Sequence, residues 1–214
     1  MTATSRARPD TDHRRRSFWL KHLHRWHWIS AALCLVGMIL FAATGITLNH
    51  AGEIEAQPRT TTVEKPLPPA LLEALSDRPE RDRAPLPPAV GDWLAAELSV
   101  RPGAREAEWS ADEIYLALPR PGGDGWVSID LGDGTVRHEV TDRGWISYLN
   151  DLHKGRNAGT VWSWFLDLFA AACLVFCITG LFLLKLHAGG RPATWPVVGF
   201  GLVAPMLLAL LFIH

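Results

Sequence analysis

Three stretches of the chain are apolar, uninterrupted and long. Residues 29–48 include no charged side chain, 161–184 include only Asp167, and 195–213 include none. An α-helix needs about 20 such residues to cross a hydrocarbon core of about 30 Å. Each run therefore predicts a membrane-spanning helix. A buried soluble helix would account for any one run. It does not account for three, two of them joined by a short loop.

Between the first two runs the pattern changes. Residues 49–87 are Pro-rich and charged, and they predict a linker with a short helix at 69–76. From Pro88 onward Val90, Trp93, Leu94 and Leu98 recur at helical spacing, behind prolines that suit a helix start. Short β-like runs follow at 107–109, 113–118, 126–131 and 135–140. The breaks between them are 119–125 and 132–134, and Leu131-Gly132-Asp133-Gly134 is a hairpin signal. The expected fold is an α-helical membrane protein with three transmembrane helices (29–48, 161–184 and 195–213). A small α+β domain over 88–150 lies between helices 1 and 2, and a basic tail covers 1–28. So small a unit is expected to lean on the membrane helices or a partner for stability.

Charge orients this plan. The formal total is −1, but residues 49–160 hold 19 acids against 12 Lys and Arg. The tail carries Arg6, Arg8, Arg14, Arg15, Arg16, Lys21 and Arg25 against Asp10 and Asp12. The loop after the second run carries Lys185 and Arg191 and no acid. Basic loops stay cytoplasmic. The N-terminus is therefore expected inside, the acidic domain outside a bacterial-type inner membrane, and His214 on the outer side. Trp19, Trp26 and Trp28 mark one end of the first run, and Trp162 and Trp164 one end of the second, as interfacial aromatic belts do.

Little catalytic chemistry is visible. The chain has no nucleophile motif, phosphate loop or paired-Cys zinc spacing. Cys34, Cys173 and Cys177 fall inside spans and read as packing residues rather than a disulfide framework. The outer-domain carboxylates read as solvated turn residues. Nothing points to nucleic acid.

The histidines are different. Of nine, all but His13 and His138 lie at or near the ends of spans. His22, His24 and His27 precede the first, His50 closes it, His153 precedes the second, and His187 follows it. Spans one and two also echo each other. Each opens with Leu-His-basic (Leu23-His24-Arg25, Leu152-His153-Lys154) and closes with Thr-Gly-aliphatic (Thr44-Gly45-Ile46, Thr179-Gly180-Leu181) before a further His. Antiparallel packing would bring His24 or His27 to His187 at one face and His50 to His153 at the other. Two facing imidazoles suit a six-coordinate b-type haem. His24 and His50 are 26 residues apart, about 39 Å along a straight helix at 1.5 Å per residue, so two haems there would be widely separated. Asp167 is the one ionisable side chain inside a span, and such residues are functional candidates. It is expected to accept a hydrogen bond from His50 as a supporting carboxylate. Gly37, Gly45 and Gly180 are expected to permit close helix approach or to leave room for a porphyrin. Against all this stands the plainer reading that His and Trp are simply at home at interfaces.

At these residues the chain resembles the PepSY-associated transmembrane helix family. The resemblance rests on Leu-His-Arg-Trp before span one, Thr-Gly-Ile-Thr-Leu-Asn-His closing it, and Thr-Gly-Leu-Phe-Leu-Leu closing span two. Its most specific part is Trp-Ile-Ser-Tyr-Leu-Asn-Asp-Leu-His-Lys-Gly-Arg at 145–156. It implies a PepSY-like outer domain and haem b, one or two, on His24, His50 and His153, with His187 after them; the packing of spans one and two adds His27 as a further candidate ligand. Larger relatives include ferric-siderophore reductases, so the resemblance implies a periplasmic iron complex as acceptor. No flavin or nicotinamide motif is present, which leaves the electron donor to another membrane component. One rival reading is a non-redox accessory subunit whose PepSY-like domain binds a periplasmic partner, within an oligomer or complex. Another is a metal site built from His50, His153, Asp151 and Glu53.

Overall fold

The computed structural model describes residues 10–54, 57–76, 79 and 81–213. In chain order the elements are α1 (Asp10–Asn49), β1 (Arg59–Pro66), α2 (Pro69–Ala74), β2 (Arg83–Pro85), α3 (Pro88–Leu98), β3 (Glu106–Trp109), β4 (Glu113–Ala117), β5 (Gly123–Asp130), β6 (Thr135–Asp142), α4 (Trp145–Lys154), α5 (Gly159–His187), a 3-10 turn (Ala188–Gly190) and α6 (Thr194–Phe212). The stretches His13–Asn49, Gly159–Gly190 and Thr194–Phe212 are long and apolar enough to cross a membrane. His214 lies outside the described residues.

The chain divides into two compact units. One is the chain up to Ile39 together with the chain from Asp167, and the other is Leu40–Leu166. The first is helical, and its seam is made of small residues. Ser30 and Cys34 on α1 and Thr179 on α5 are buried. A methyl group on Gly37 would run into the Phe169 ring, and the Cys34 thiol lies beside Cys173. Small residues at such a seam let two helix backbones approach, which is how helices associate where lipid removes any hydrophobic drive. Outside the seam the surface is apolar. Leu33, Val36, Leu174 and Phe182 are exposed on α1 and α5, and so are Phe200, Leu202 and Leu210 on α6. None of α6 is buried. Such surface is tolerated only where something apolar covers it.

The second unit contains a six-stranded antiparallel sheet of order β1-β6-β5-β4-β3-β2. Alternation in β4 and β5 turns Ile114, Leu116, Val127 and Ile129 to one face. There they pack with Val136, Ala107 and the buried stripe Val90, Leu94 and Leu98 of α3. Pro88 opens that helix, and Ser99 ends it in the left-handed conformation (φ 56°). The opposite face carries Tyr115, stacked on Trp126 at 6.0 Å. Burial raises the Tyr115 phenol pKa, and Asp124, Glu108, Glu113 and Glu139 push it the same way.

The expected helix and four strands over 88–142 are present, with β5 starting three residues earlier than its apolar pattern. The expected linker over 49–87 is corrected. It supplies both edge strands, β1 and β2, while the short helix expected at 69–76 is present as α2. The reason is physical. β1 reads Arg-Thr-Thr-Thr-Val-Glu-Lys-Pro and is almost wholly exposed, so it lacks the alternation that marks a half-buried strand. β2 is three residues ending in Pro85, the short, proline-bearing form that blunts a sheet edge. The tail is corrected as well, since α1 is one unbroken helix from Asp10 into the first apolar run.

Candidate functional site

The 145–156 stretch does not run straight into the second long helix. It forms the separate helix α4, stopped by Gly155 at φ +67°. Its polar residues act as pins. The Thr47 hydroxyl donates to Asn150 Oδ1 at 2.7 Å. Asp151 Oδ2 accepts the Gly122 N–H at 2.8 Å. Both Asn150 and Asp151 are buried. Gly122 has φ +69°, and a Cβ there would lie 2.6 Å from Tyr148 Cα, so only glycine admits α4 this close. Asp151 is therefore occupied with positioning.

His153, two residues on, docks against α1. Thr44 Oγ1 donates to the Leu40 carbonyl at 2.9 Å and meets His153 Nδ1 at 2.7 Å. The bond engages Nδ1 and leaves Nε2 without a hydrogen-bond partner among the described residues. The ring tilts over Phe41 (centroids 4.9 Å, 42°), and Cε1 would lie 3.7 Å from a Cβ on Gly45.

The same construction occurs in the helical unit. Thr179 Oγ1 donates to the Val175 carbonyl at 2.6 Å and meets His27 Nδ1 at 3.1 Å. The Phe176 carbonyl is a second acceptor for that nitrogen at 3.2 Å. The His27 ring stacks on Phe176 (4.6 Å, 15°), and its Cε1 would lie 3.3 Å from a Cβ on Gly180. Phe41-Ala-Ala-Thr44-Gly45 and Phe176-Cys-Ile-Thr179-Gly180 are thus one motif, Phe-x-x-Thr-Gly, used twice. In each a histidine from elsewhere in the chain is laid on the Phe, bonded to the Thr and admitted by the Gly. Sequence reasoning noticed the Thr-Gly pairs but missed the two phenylalanines, Asn150 and the docking role. The repeated five-residue word was the available signal.

His24 and His187 meet ring to ring, with centroids 5.8 Å apart and planes at 89°. His24 Nδ1 bonds the Leu20 carbonyl and His187 Nδ1 the Leu183 carbonyl, both at 2.8 Å. Each ring therefore keeps Nε2 as a free donor atom, the arrangement usual for metal-binding histidine. His22 makes the same bond to the Phe18 carbonyl, but its ring lies on Phe18 (4.0 Å), so the bond alone does not make a site.

One expected contact is corrected. His50 does not pair with His153. Its Nδ1 meets Glu53 Oε2 at 3.1 Å, both side chains exposed, while His153 belongs to Thr44. At about 100° per residue, His50 stands about 120° around α1 from Thr44, off the docked face. The Asp167 side chain is exposed, and no partner for it is seen among the described residues. The proposed His50, His153, Asp151 and Glu53 metal cluster does not assemble: His50 and Glu53 bond each other, while Asp151 bonds the Gly122 amide and His153 bonds Thr44. Among the described residues no group of three or more His, Cys, Asp or Glu is placed to hold a metal ion.

The donor set of His24 and His187 fits haem iron. Metal–imidazole bonds are about 2 Å long, so two imidazoles sharing one metal have ring centres roughly 6 Å apart. His153 and His27 also keep Nε2 free, but neither has a second imidazole beside it.

No curated protein and no solved structure matches this sequence. The family comparison does match, over residues 18–214, which takes in all the helices and histidines just described from Phe18 on, and the chain belongs to the PepSY_TM-like family.

Proposed function

We propose that this protein binds haem b in a bacterial inner membrane and passes electrons outward, toward a periplasmic ferric complex such as a ferric siderophore. The observation that carries the reading is the His24–His187 pair, at metal-sharing distance with both Nδ1 atoms committed to backbone carbonyls. These two residues would hold the first haem, and His153 is the candidate ligand of a second. Haem bound there supplies reversible one-electron chemistry. The carbonyls of Leu20 and Leu183 fix the ring orientation and keep the ligating nitrogens unprotonated. The acidic balance of 49–160 and the basic tail support an N-terminus inside and the sheet domain outside. The electron donor would be another membrane component.

A second reading has its own support. His27 and His153 are spent joining elements through Thr179 and Thr44, as interface residues would be in a non-redox subunit whose sheet domain binds a partner.

The absorption spectrum of the full-length protein, made with ample haem supply, separates the two. The redox reading expects low-spin bands that sharpen on reduction. His24→Ala and His187→Ala should each abolish or convert the signal from this pair, and His22→Ala should retain it. Protein that carries no haem under these conditions gives the subunit reading its place.

A further inference from the structure

By the rule for a soluble protein, α4 is inside out. On a helix of 3.6 residues per turn, Trp145, Tyr148, Leu149 and Leu152 share one arc. Ser147, Asn150, Asp151 and Lys154 share the opposite one. The apolar arc is the open one: Trp145 is 70% exposed and Tyr148 47%, whereas Asn150 and Asp151 are each 8% exposed. The polar arc packs inward, Asn150 onto Thr47 and Asp151 onto the Gly122 amide. This inversion is not a slack contact, because both pins are short and buried.

The pins also set the level of the helix. Thr44 and Thr47 belong to the last two turns of the apolar part of α1, and α4 is bonded to both, through His153 and Asn150. At its other end only four residues separate α4 from α5, whose apolar run begins at Val161. An apolar arc held where two membrane-crossing runs end faces the boundary between lipid tails and headgroups. Its largest residues, Trp and Tyr, are the types enriched at that boundary. Lys154 and Arg156, exposed at the end of the helix, suit anionic headgroup phosphates.

We propose that α4 lies in the plane of the membrane surface, with Trp145, Tyr148, Leu149 and Leu152 turned into the acyl region and the lipid bilayer as its partner. It behaves as an interfacial amphipathic helix whose polar side grips protein instead of water. Through Asp151 and Gly122 it holds the loop before β5 at a fixed height above the lipid. This inference does not depend on haem.

The test uses the full-length protein in phospholipid vesicles. With Cys34, Cys173 and Cys177 replaced by Ala, single cysteines at Trp145, Tyr148 and Lys154 are labelled with an environment-sensitive fluorophore. The expected result is blue-shifted emission at 145 and 148, quenched several-fold by lipids brominated near the headgroup, with water-like emission at 154. Water-like emission at 145 and 148 overturns the proposal. Shielded labels that brominated lipid does not quench, and that cross-link between copies, overturn it in favour of a second protein copy. If the cysteine-free background does not fold, Trp145→Phe in the native sequence takes its place. It should lower the tryptophan intensity that brominated lipid quenches, and an unchanged intensity overturns the proposal.

Discussion

The two histidine docks share one five-residue word and differ in how much they rest on it. In the His27 dock the ring lies flat on Phe176 and its N–H has two acceptors, Thr179 Oγ1 at 3.1 Å and the Phe176 carbonyl at 3.2 Å. In the His153 dock the ring is tilted and its Nδ1 has one partner, Thr44 Oγ1, at the shorter 2.7 Å. Sterically the order reverses, with a Cβ 3.3 Å from the ring at Gly180 and 3.7 Å at Gly45. One dock is thus tight and redundant, and the other is roomy and hangs on a single bond. The motif supplies the components, and the neighbouring backbone decides which component is indispensable.

Removing the hydroxyl should separate the docks most. Thr44→Val leaves the part-buried His153 Nδ1 without its partner, a loss of about 1–3 kcal/mol. Thr179→Val leaves the Phe176 carbonyl in place and should cost well under half of that. Thermal unfolding of the two variants in detergent checks the order, and equal losses would dissolve the distinction. Adding a methyl group should give a smaller effect in the opposite order. Gly180→Ala crowds His27 and should destabilise. Gly45→Ala meets only ordinary contact and gains helix propensity, up to about 1 kcal/mol, so it should be neutral or stabilising by the same measurement. Acid should give the smallest effect, and only on the unit that holds the His153 dock. Burial holds the His138 imidazole below its ordinary pKa. The unfolded chain therefore takes up the proton first, and stability is lost as pH falls through the ordinary histidine range toward the lowered value. The protection factors of β6 amides, corrected for the intrinsic exchange rate at each pH, should fall below about pH 6.5, and His138→Gln should remove that step.

The long apolar runs and the strands at the middle of the sheet were legible because each is governed by one local pattern, length in the first case and alternation in the second. Ile114, Leu116, Val127 and Ile129 alternate with polar neighbours, and they lie in the core. Arg59–Pro66 has nothing to alternate with, since an edge strand is held by its backbone, and backbone pairing leaves no mark on composition. The histidines were legible as a group, and among the pairs only His24 with His187 was. Matching the words Leu-His-Arg and Leu-His-Lys set His24 against His153, whereas the structure makes His27 the counterpart of His153. Which ring docks depends on the face it occupies and on a threonine far along the chain, and neither can be read from the residues beside it. His24 and His187 were placed together because both close the same end of an antiparallel pair, an argument from topology that needed no detail.

The sheet closes in an order that shapes how the chain is made. β1 pairs only with β6, the first strand with the last. During synthesis β1 emerges first and must wait, its backbone groups unmatched, until every other strand has followed. Ring closure over so long a segment is slow relative to local hairpins, and the interval exposes a strand to pairing with the wrong chain. Three threonines with Arg59, Glu64 and Lys65, and a closing proline, make this strand soluble while it waits. Its polar composition, which hid it from a reading of the sequence, is also what keeps the nascent chain from aggregating through it.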